Sequence, residues 1–223
     1  YYTSKICPAT GFADLLYPYY ETVKKSQEFF DKFHKIHFNQ KNNYFEFEIK
    51  DYNAFNPKAE GTKQDWTICT FGTRLENYRN PEKNNNWDTQ EVNLTEKMQK
   101  LFQNRDIHFN DGKCIKEKIC QQSDSQFFKR LIKLLKLTLQ IRNSRVNTDE
   151  DWMLSPVLNK HGNFFDSRVA DEDMPQNADA NGAYHIALKG LWCLEQIRKA
   201  EDPKKVNMAI SNKEWLQFKQ AKV

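Results

Sequence analysis

The stretch Ser123-Asp124-Ser125-Gln126-Phe127-Phe128-Lys129-Arg130-Leu131-Ile132-Lys133-Leu134-Leu135-Lys136-Leu137-Thr138-Leu139-Gln140-Ile141-Arg142 decides how this chain folds. A Ser followed three residues later by Gln is a capping box, in which the two side chains satisfy backbone N–H groups at a helix start. It opens the strongest helix of the sequence, which the pattern carries to about Arg142. Lys129, Lys133, Lys136 and Gln140 recur at steps of four, three and four, so they share one polar stripe. At about 100° per residue Arg142 falls about 20° from Leu131 and Leu135, on the apolar face at the C-terminal end.

Upstream of this helix, residues 1–12 read as extended. Glu21 to Phe33 has helical spacing, with Val23, Phe29, Phe30 and Phe33 on one face. Ile36-His37-Phe38 and Tyr44-Phe45-Glu46-Phe47-Glu48-Ile49 alternate across a polar turn and read as a β-hairpin, with Trp66 to Phe71 as a third strand. Asn80 to Asp88 reads as a loop, Thr95 to Gln103 as a short helix and Ile107 to Phe109 as a strand. Downstream, a segment of roughly forty residues lacks strong periodicity, an unusual length for a loop without a function. It leads to Ala178-Asp179-Ala180-Asn181-Gly182-Ala183 and a helix over about 183–199 whose apolar stripe is Ala183, Ile186, Ala187, Gly190, Leu191, Leu194 and Ile197. Val206 to Ile210 reads as a strand. Ser211-Asn212-Lys213-Glu214 is a second capping box, opening a last helix around Trp215, Leu216 and Phe218. The whole predicts an α+β fold of helices packed with short antiparallel strands.

Composition narrows the function classes. With 39% hydrophobic and 13% aromatic residues the chain folds rather than remaining disordered. A net charge of +4 excludes a uniformly basic coat, so an anion-binding surface must come from local clustering. Five cysteines, odd in number and without a CxxC pair, argue against a zinc ribbon and a closed disulfide framework. Reduced thiols suit a cytoplasm, and no membrane-spanning apolar run is present. The chain starts without Met in what reads as running sequence, as expected of a fragment of a larger protein. Gly-rich phosphate loops, nucleophile elbows and HExxH motifs are missing, which counts against an NTPase, a serine hydrolase or a zincin.

Several groups could carry chemistry. Asp179 sits among small residues that let a metal ion or polyanion approach, and it also suits a helix N-cap. From Lys129 to Arg145 there are six basic residues and no acidic one. The stripe Lys129, Lys133, Lys136, with Arg145 beyond it, is either a solvated face or a track for phosphates. Arg142 is either a helix-end cap or ion pair, or a bidentate phosphate ligand that Lys cannot replace. Asp149-Glu150-Asp151 alone reads as a solvated turn. His34, His37 and His185 read as surface or structural histidines.

Motifs in order along the chain are similar to those of the RNA-guided type V-A CRISPR effector nucleases. They are Tyr2-Thr3-Ser4-Lys5-Ile6-Cys7-Pro8-Ala9-Thr10-Gly11-Phe12, Gln140-Ile141-Arg142-Asn143-Ser144, Ser155-Pro156-Val157, Asn163-Phe164-Phe165-Asp166-Ser167-Arg168 and Asp179-Ala180-Asn181-Gly182. Many members carry Asp-Ala-Asp where this chain has Asn177-Ala178-Asp179, which leaves Asp179 as the metal-binding carboxylate.

The resemblance implies an organisation and a set of roles. Residues 1–12 would end the second RuvC segment, 13–176 would form a Nuc domain, and 177–223 would be the third RuvC segment, a helical piece of an RNase H-like domain. Asp179 would be one of three carboxylates holding Mg2+ or Mn2+ in the complete RuvC site, the other two lying on segments outside this sequence. Arg142 would be the arginine needed for efficient cleavage, with Asp151 supporting it, and Lys129, Lys133, Lys136 and Arg145 would contact DNA. Expected partners are target and non-target DNA strands, the remaining RuvC segments and, through the larger protein, a guide RNA, in a prokaryotic cytoplasm and with no membrane. The alternatives are an independent DNase site around Arg142 and Asp151, or a DNA-binding module without chemistry.

Overall fold

The computed structural model describes residues 5–14, 16–50 and 65–221. Tyr2, Thr3 and Ser4 of the opening motif, and the side chain of Leu216, lie outside the described residues. Six α-helices and eight strands in three small antiparallel sheets make the expected α+β fold among them. Helix α1 (Val23–Asp31) is capped by Thr22 and precedes β1 (Lys35–Asn39), β2 (Tyr44–Ile49) and β3 (Trp66–Cys69), paired in that order. β4 (Thr73–Asn80) and β5 (Asn86–Asn93) form a ribbon leading into α2 (Leu94–Gln103). After α3 (Lys116–Cys120) comes α4 (Ser125–Leu139), then the sheet β6 (Arg142–Ser144), β7 (Asp151–Leu158), β8 (Phe164–Asp166). α5 (Ala178–Lys199) and α6 (Asn212–Ala221) close the described chain.

The core explains why these elements pack. One cluster of buried side chains runs from Ile6 to Trp215, with Phe45 at 0% exposure in its aromatic centre. The Phe45 ring contacts those of Phe38, Phe102 and Phe109 at centroid separations of 4.9, 5.1 and 5.0 Å. Alternation along β1 and β2 places Ile36, Phe38, Phe45, Phe47 and Ile49 inward, while α4 buries Phe127, Phe128, Leu131 and Leu135. Gly72, at φ +76°, takes the chain into β4 so closely that a Cβ there would meet the Leu154 side chain at 2.8 Å.

Several expectations are corrected. Residues 5–12 of the opening segment are not extended: they turn back on themselves, the Cys7 amide donating to the Phe12 carbonyl at 2.8 Å and the Gly11 amide to the Cys7 carbonyl at 2.9 Å. Ile107 and Phe109 are buried anchors in a loop, and 206–210 is irregular. The predicted Asn80–Asp88 loop is the tip of the β4–β5 ribbon, whose polar strands gave little alternation to read. The supposed forty-residue loop contains β6, β7 and β8. β7 is buried on both faces, so its sequence shows no apolar–polar alternation. Pro156 is tolerated there because the pairing to β8 shifts register between Leu154 and Leu158.

Helix ends also differ. Asp124, not Ser123, caps α4, accepting from the Gln126 amide at 2.7 Å. The helix stops at Leu139, so Arg142 is not on its apolar face but starts a strand. α5 begins at Ala178 under an Asn177 cap, which places Asp179 in its first turn rather than at the N-cap. Its buried residues are Ala178, Asn181 and His185. The apolar stripe faces outward, with Ile186 63%, Leu191 53% and Leu194 50% exposed. Asn181 sets that rotation, its side-chain amide donating to the Ile6 carbonyl at 2.9 Å.

The end of α4 is held by a fully buried arginine. Arg74 donates from Nε to the Gln140 carbonyl at 2.9 Å and from Nη1 to the Phe71 carbonyl at 3.0 Å, with Thr73 and Thr138 carbonyls at 3.3 and 3.5 Å. Burial pushes its pKa down to about 9, which leaves it cationic at neutral pH among carbonyl dipoles of the helix end. Replacement by Met (R74M) strands these acceptors, each costing about 1–3 kcal/mol when unpaired. At about 2–4 °C per kcal/mol for a domain of this size, R74M should therefore lower the melting temperature by at least about 8 °C, and a scan by circular dichroism checks it.

Candidate active site

The site is built by Gln140 to Ser144, where helix gives way to strand. The Gln140 side-chain amide donates to the Leu75 carbonyl at 2.9 Å, and the Asn143 Oδ1 accepts from the Leu75 amide at 2.9 Å. Asn143 Nδ2 returns a bond to the Ile141 carbonyl at 3.1 Å. Two side chains thus stitch β6 to β4 through the amide and carbonyl of one residue. Asn143 is fully buried, and strand alternation turns its neighbour Arg142 outward.

Arg142 meets two carboxylates. Its Nη2 donates to Asp151 Oδ2 at 2.9 Å, and its Nη1 lies 3.9 Å from Asp179 Oδ1. Asp151 is reached because β7 pairs antiparallel with β6, Ser144 opposite Asp151 and Arg142 opposite Met153. The two side chains are therefore diagonal neighbours on one sheet face. Asp179 comes from the N-terminal turn of α5, where the helix dipole favours a carboxylate. Exposures differ: Arg142 49%, Asp151 19%, Asp179 90%. Asp151 Oδ1 is buried and has no hydrogen-bond partner, so one oxygen fixes Arg142 and the other is uncommitted. Nothing lies within 4 Å of where a Cβ on Gly182 would be, so the approach to the first turn of α5 is open.

Two depressions flank Arg142. One, of about 410 Å3, is lined by Lys5, Asp14, Tyr17, Tyr19, Lys136 and Arg142. The other, of about 420 Å3, is lined by Glu76, Asn77, Lys133, Lys136, Gln140 and Arg142. Lys136 and Arg142 border both. Burial raises the Asp14 carboxyl pKa, while Lys5 and Lys136 pull it back down. The lining by Lys5, Asp14, Tyr17 and Tyr19 was not foreseen, because no local motif marks it.

The other basic positions are less free. Lys129 rides over the Tyr20 ring at 5.2 Å and Lys133 pairs with Glu76. Arg145 is ion-paired to Glu91 at 2.9 Å and to Glu150. His185 is buried against Trp215, its Nδ1 2.8 Å from the Asn181 carbonyl, in a structural setting. Ser155 and Ser167 are likewise structural, bonding Val157 and Met153 backbone within β7. Among the described residues, one group of three His, Cys, Asp or Glu side chains is spaced to share an ion: His37, Glu46 and Glu48 on the β1–β2 hairpin. Within 4.0 Å of Arg142 the described residues supply two carboxylates, Asp151 and Asp179, short of that number.

Support and function separate in a stability comparison. Asn143→Ala leaves the buried Leu75 amide unpaired and should cost about 1–3 kcal/mol. Arg142→Ala breaks half-exposed ion pairs and should cost less than about 1 kcal/mol. Denaturant melts of both variants check the order.

No helix among the described residues is long and apolar enough to cross a membrane, and all five cysteines are free. Residues 6–169 match the family model NUC, described as a nuclease domain. That span covers Arg142, Asp151 and the basic face of α4, and most of the 223-residue chain. With so much of its length matched, the chain belongs to the NUC nuclease-domain family.

Proposed function

We propose that this chain is the nuclease-lobe portion of an RNA-guided type V-A DNA endonuclease, steering single DNA strands into a RuvC site and contributing Asp179 to it. The observation that carries this reading is the convergence on Arg142 of Asp151, from a paired strand, and Asp179, from the start of α5. Residues 1–12, 13–176 and 177–223 are then the end of the second RuvC segment, the Nuc domain and the third RuvC segment. The outward apolar face of α5 at Ile186, Leu191 and Leu194 supports a cover by the remaining RuvC segments. Guide RNA would act through the larger protein, in a prokaryotic cytoplasm.

In this reading Asp179 holds a Mg2+ (or Mn2+) ion together with the two carboxylates of the other segments. Its high exposure and open approach fit a metal ligand. Metal bound there would supply Lewis-acid stabilisation of charge in phosphodiester hydrolysis, the attacking and leaving oxygens being shared between two ions in a two-metal site. The fork of Arg142, aimed by Asp151, takes a phosphate oxygen of the strand and sets its position relative to Asp179. Lys136 borders both depressions beside Arg142 and carries phosphates towards it.

A second reading keeps the chemistry within the Nuc portion, around Arg142 and Asp151, and the uncommitted Asp151 Oδ1 favours it. Among the described residues, however, Asp151 is the one carboxylate of that portion within 4.0 Å of Arg142.

In the complete guided enzyme, Asp179→Ala should leave both strands uncut while guide-dependent binding survives. Arg142→Ala should slow cutting partially and more on the target strand, with an unchanged melting temperature. Equal losses on both strands with destabilisation overturn the positioning role, and cutting by Asp179→Ala that Asp151→Asn abolishes favours the second reading. For DNA binding, Lys136→Gln should lower the slope of log affinity against log salt by about 0.7, as expected for one single-strand phosphate contact. Lys133→Gln, already paired to Glu76, should change it less.

A further inference from the structure

We propose that His37, Glu46 and Glu48 form a binding site for a divalent transition-metal ion of the Zn2+ class. The three project from one face of the β1–β2 hairpin: His37 lies opposite Glu46 in the register, and Glu48 is two residues further along the same strand. One ligand atom from each lies within 4.8 Å of the others. His37 Nε2 is 3.3 Å from Glu46 Oε2, and His37 Nδ1 is 3.7 Å from Glu48 Oε1. Bonds of about 2.0–2.2 Å in a tetrahedron put donor atoms roughly 3.3–3.6 Å apart; the two close contacts use opposite ring nitrogens, so an ion takes one of them and the carboxylate facing the other rotates towards it to close the set.

Charge and hydrogen bonding point the same way. Both carboxylates are mostly buried, at 16% and 24% exposure, and His37 is the sole basic group recorded within 4.0 Å of either among the described residues. The His37 Nδ1 is buried with no hydrogen-bond partner, an expense that a bonded ring nitrogen avoids. Asn39 Nδ2 donates to Glu46 Oε1 at 2.6 Å, which orients that carboxylate as outer-shell partners of metal ligands do. An imidazole among the donors selects Zn2+, Co2+ or Cu2+ over Mg2+. Three protein ligands leave a fourth position for water.

The test uses the 223-residue chain and Co2+ as the probe. One equivalent of Co2+ should bind with visible bands of nitrogen and oxygen ligation and no thiolate charge-transfer band. Zn2+ should displace it and excess Mg2+ should not. Asn39→Ala should weaken binding by ~10–100-fold, the range for outer-shell partners. H37Q and E48Q should weaken it by more than that. E48Q is isosteric and partly exposed, so it decides the matter if H37Q fails to fold. Failure to bind Co2+, sulfur ligation, or equal affinity in E48Q overturns the site.

Discussion

The fold around the candidate site depends on one buried cation. Arg74 brings a guanidinium to the C-terminal end of α4, where the last carbonyls of a helix have no internal partners. A fully buried charge is costly unless its donors are occupied, and here four carbonyl oxygens occupy them. The same contact ends the helix at Leu139 and releases the chain as a strand. Without that termination Gln140 and Asn143 could not reach the backbone of Leu75, and Arg142 would continue around the helix into the core.

From this anchor the geometry of the site follows by strand chemistry. Asn143 turns inward to bond Leu75, so Arg142 must turn outward, and antiparallel pairing brings Asp151 beside it. Asp179 arrives from a different direction, on the first turn of α5. That helix is fixed by Asn181 on the Ile6 carbonyl and by His185 against Trp215. Two residues of the same short motif thus do different work: Asn143 supplies the fixed backbone, and Arg142 stays available at the surface. The ion pair with Asp151 is worth little in stability at its exposure, so its effect lies in direction rather than in folding.

Electrostatics around the site are graded rather than uniform. Of the basic side chains near α4, Lys133 and Arg145 are already matched by Glu76, Glu91 and Glu150, and Lys129 rests on an aromatic ring. The matched pairs keep most of the face near neutrality, consistent with a chain of only +4 net charge. Where the two depressions meet, Arg142 is paired with Asp151, and Lys136 has no carboxylate within 4.0 Å among the described residues.

The sequence by itself determined the α+β class, the first hairpin, α1, α2 and the existence of α4, because these carry local signals: caps, alternation and helical spacing. It also singled out Arg142, Asp151 and Asp179, through motifs rather than through any local physics that would bring them together. The tertiary structure alone decided the rest. β7 escaped detection because burial on both faces erases alternation, and β4 and β5 because a polar ribbon has none. The end of α4 was misplaced by three residues because the terminating partner, Arg74, is remote in sequence and has no local signature. The rotation of α5 is not legible for a related reason: periodicity shows which stripe is apolar, but only Asn181 and His185 show which stripe faces this core. A helix wheel registers contrast between faces, and the choice between them is made by contacts that the linear chain does not contain.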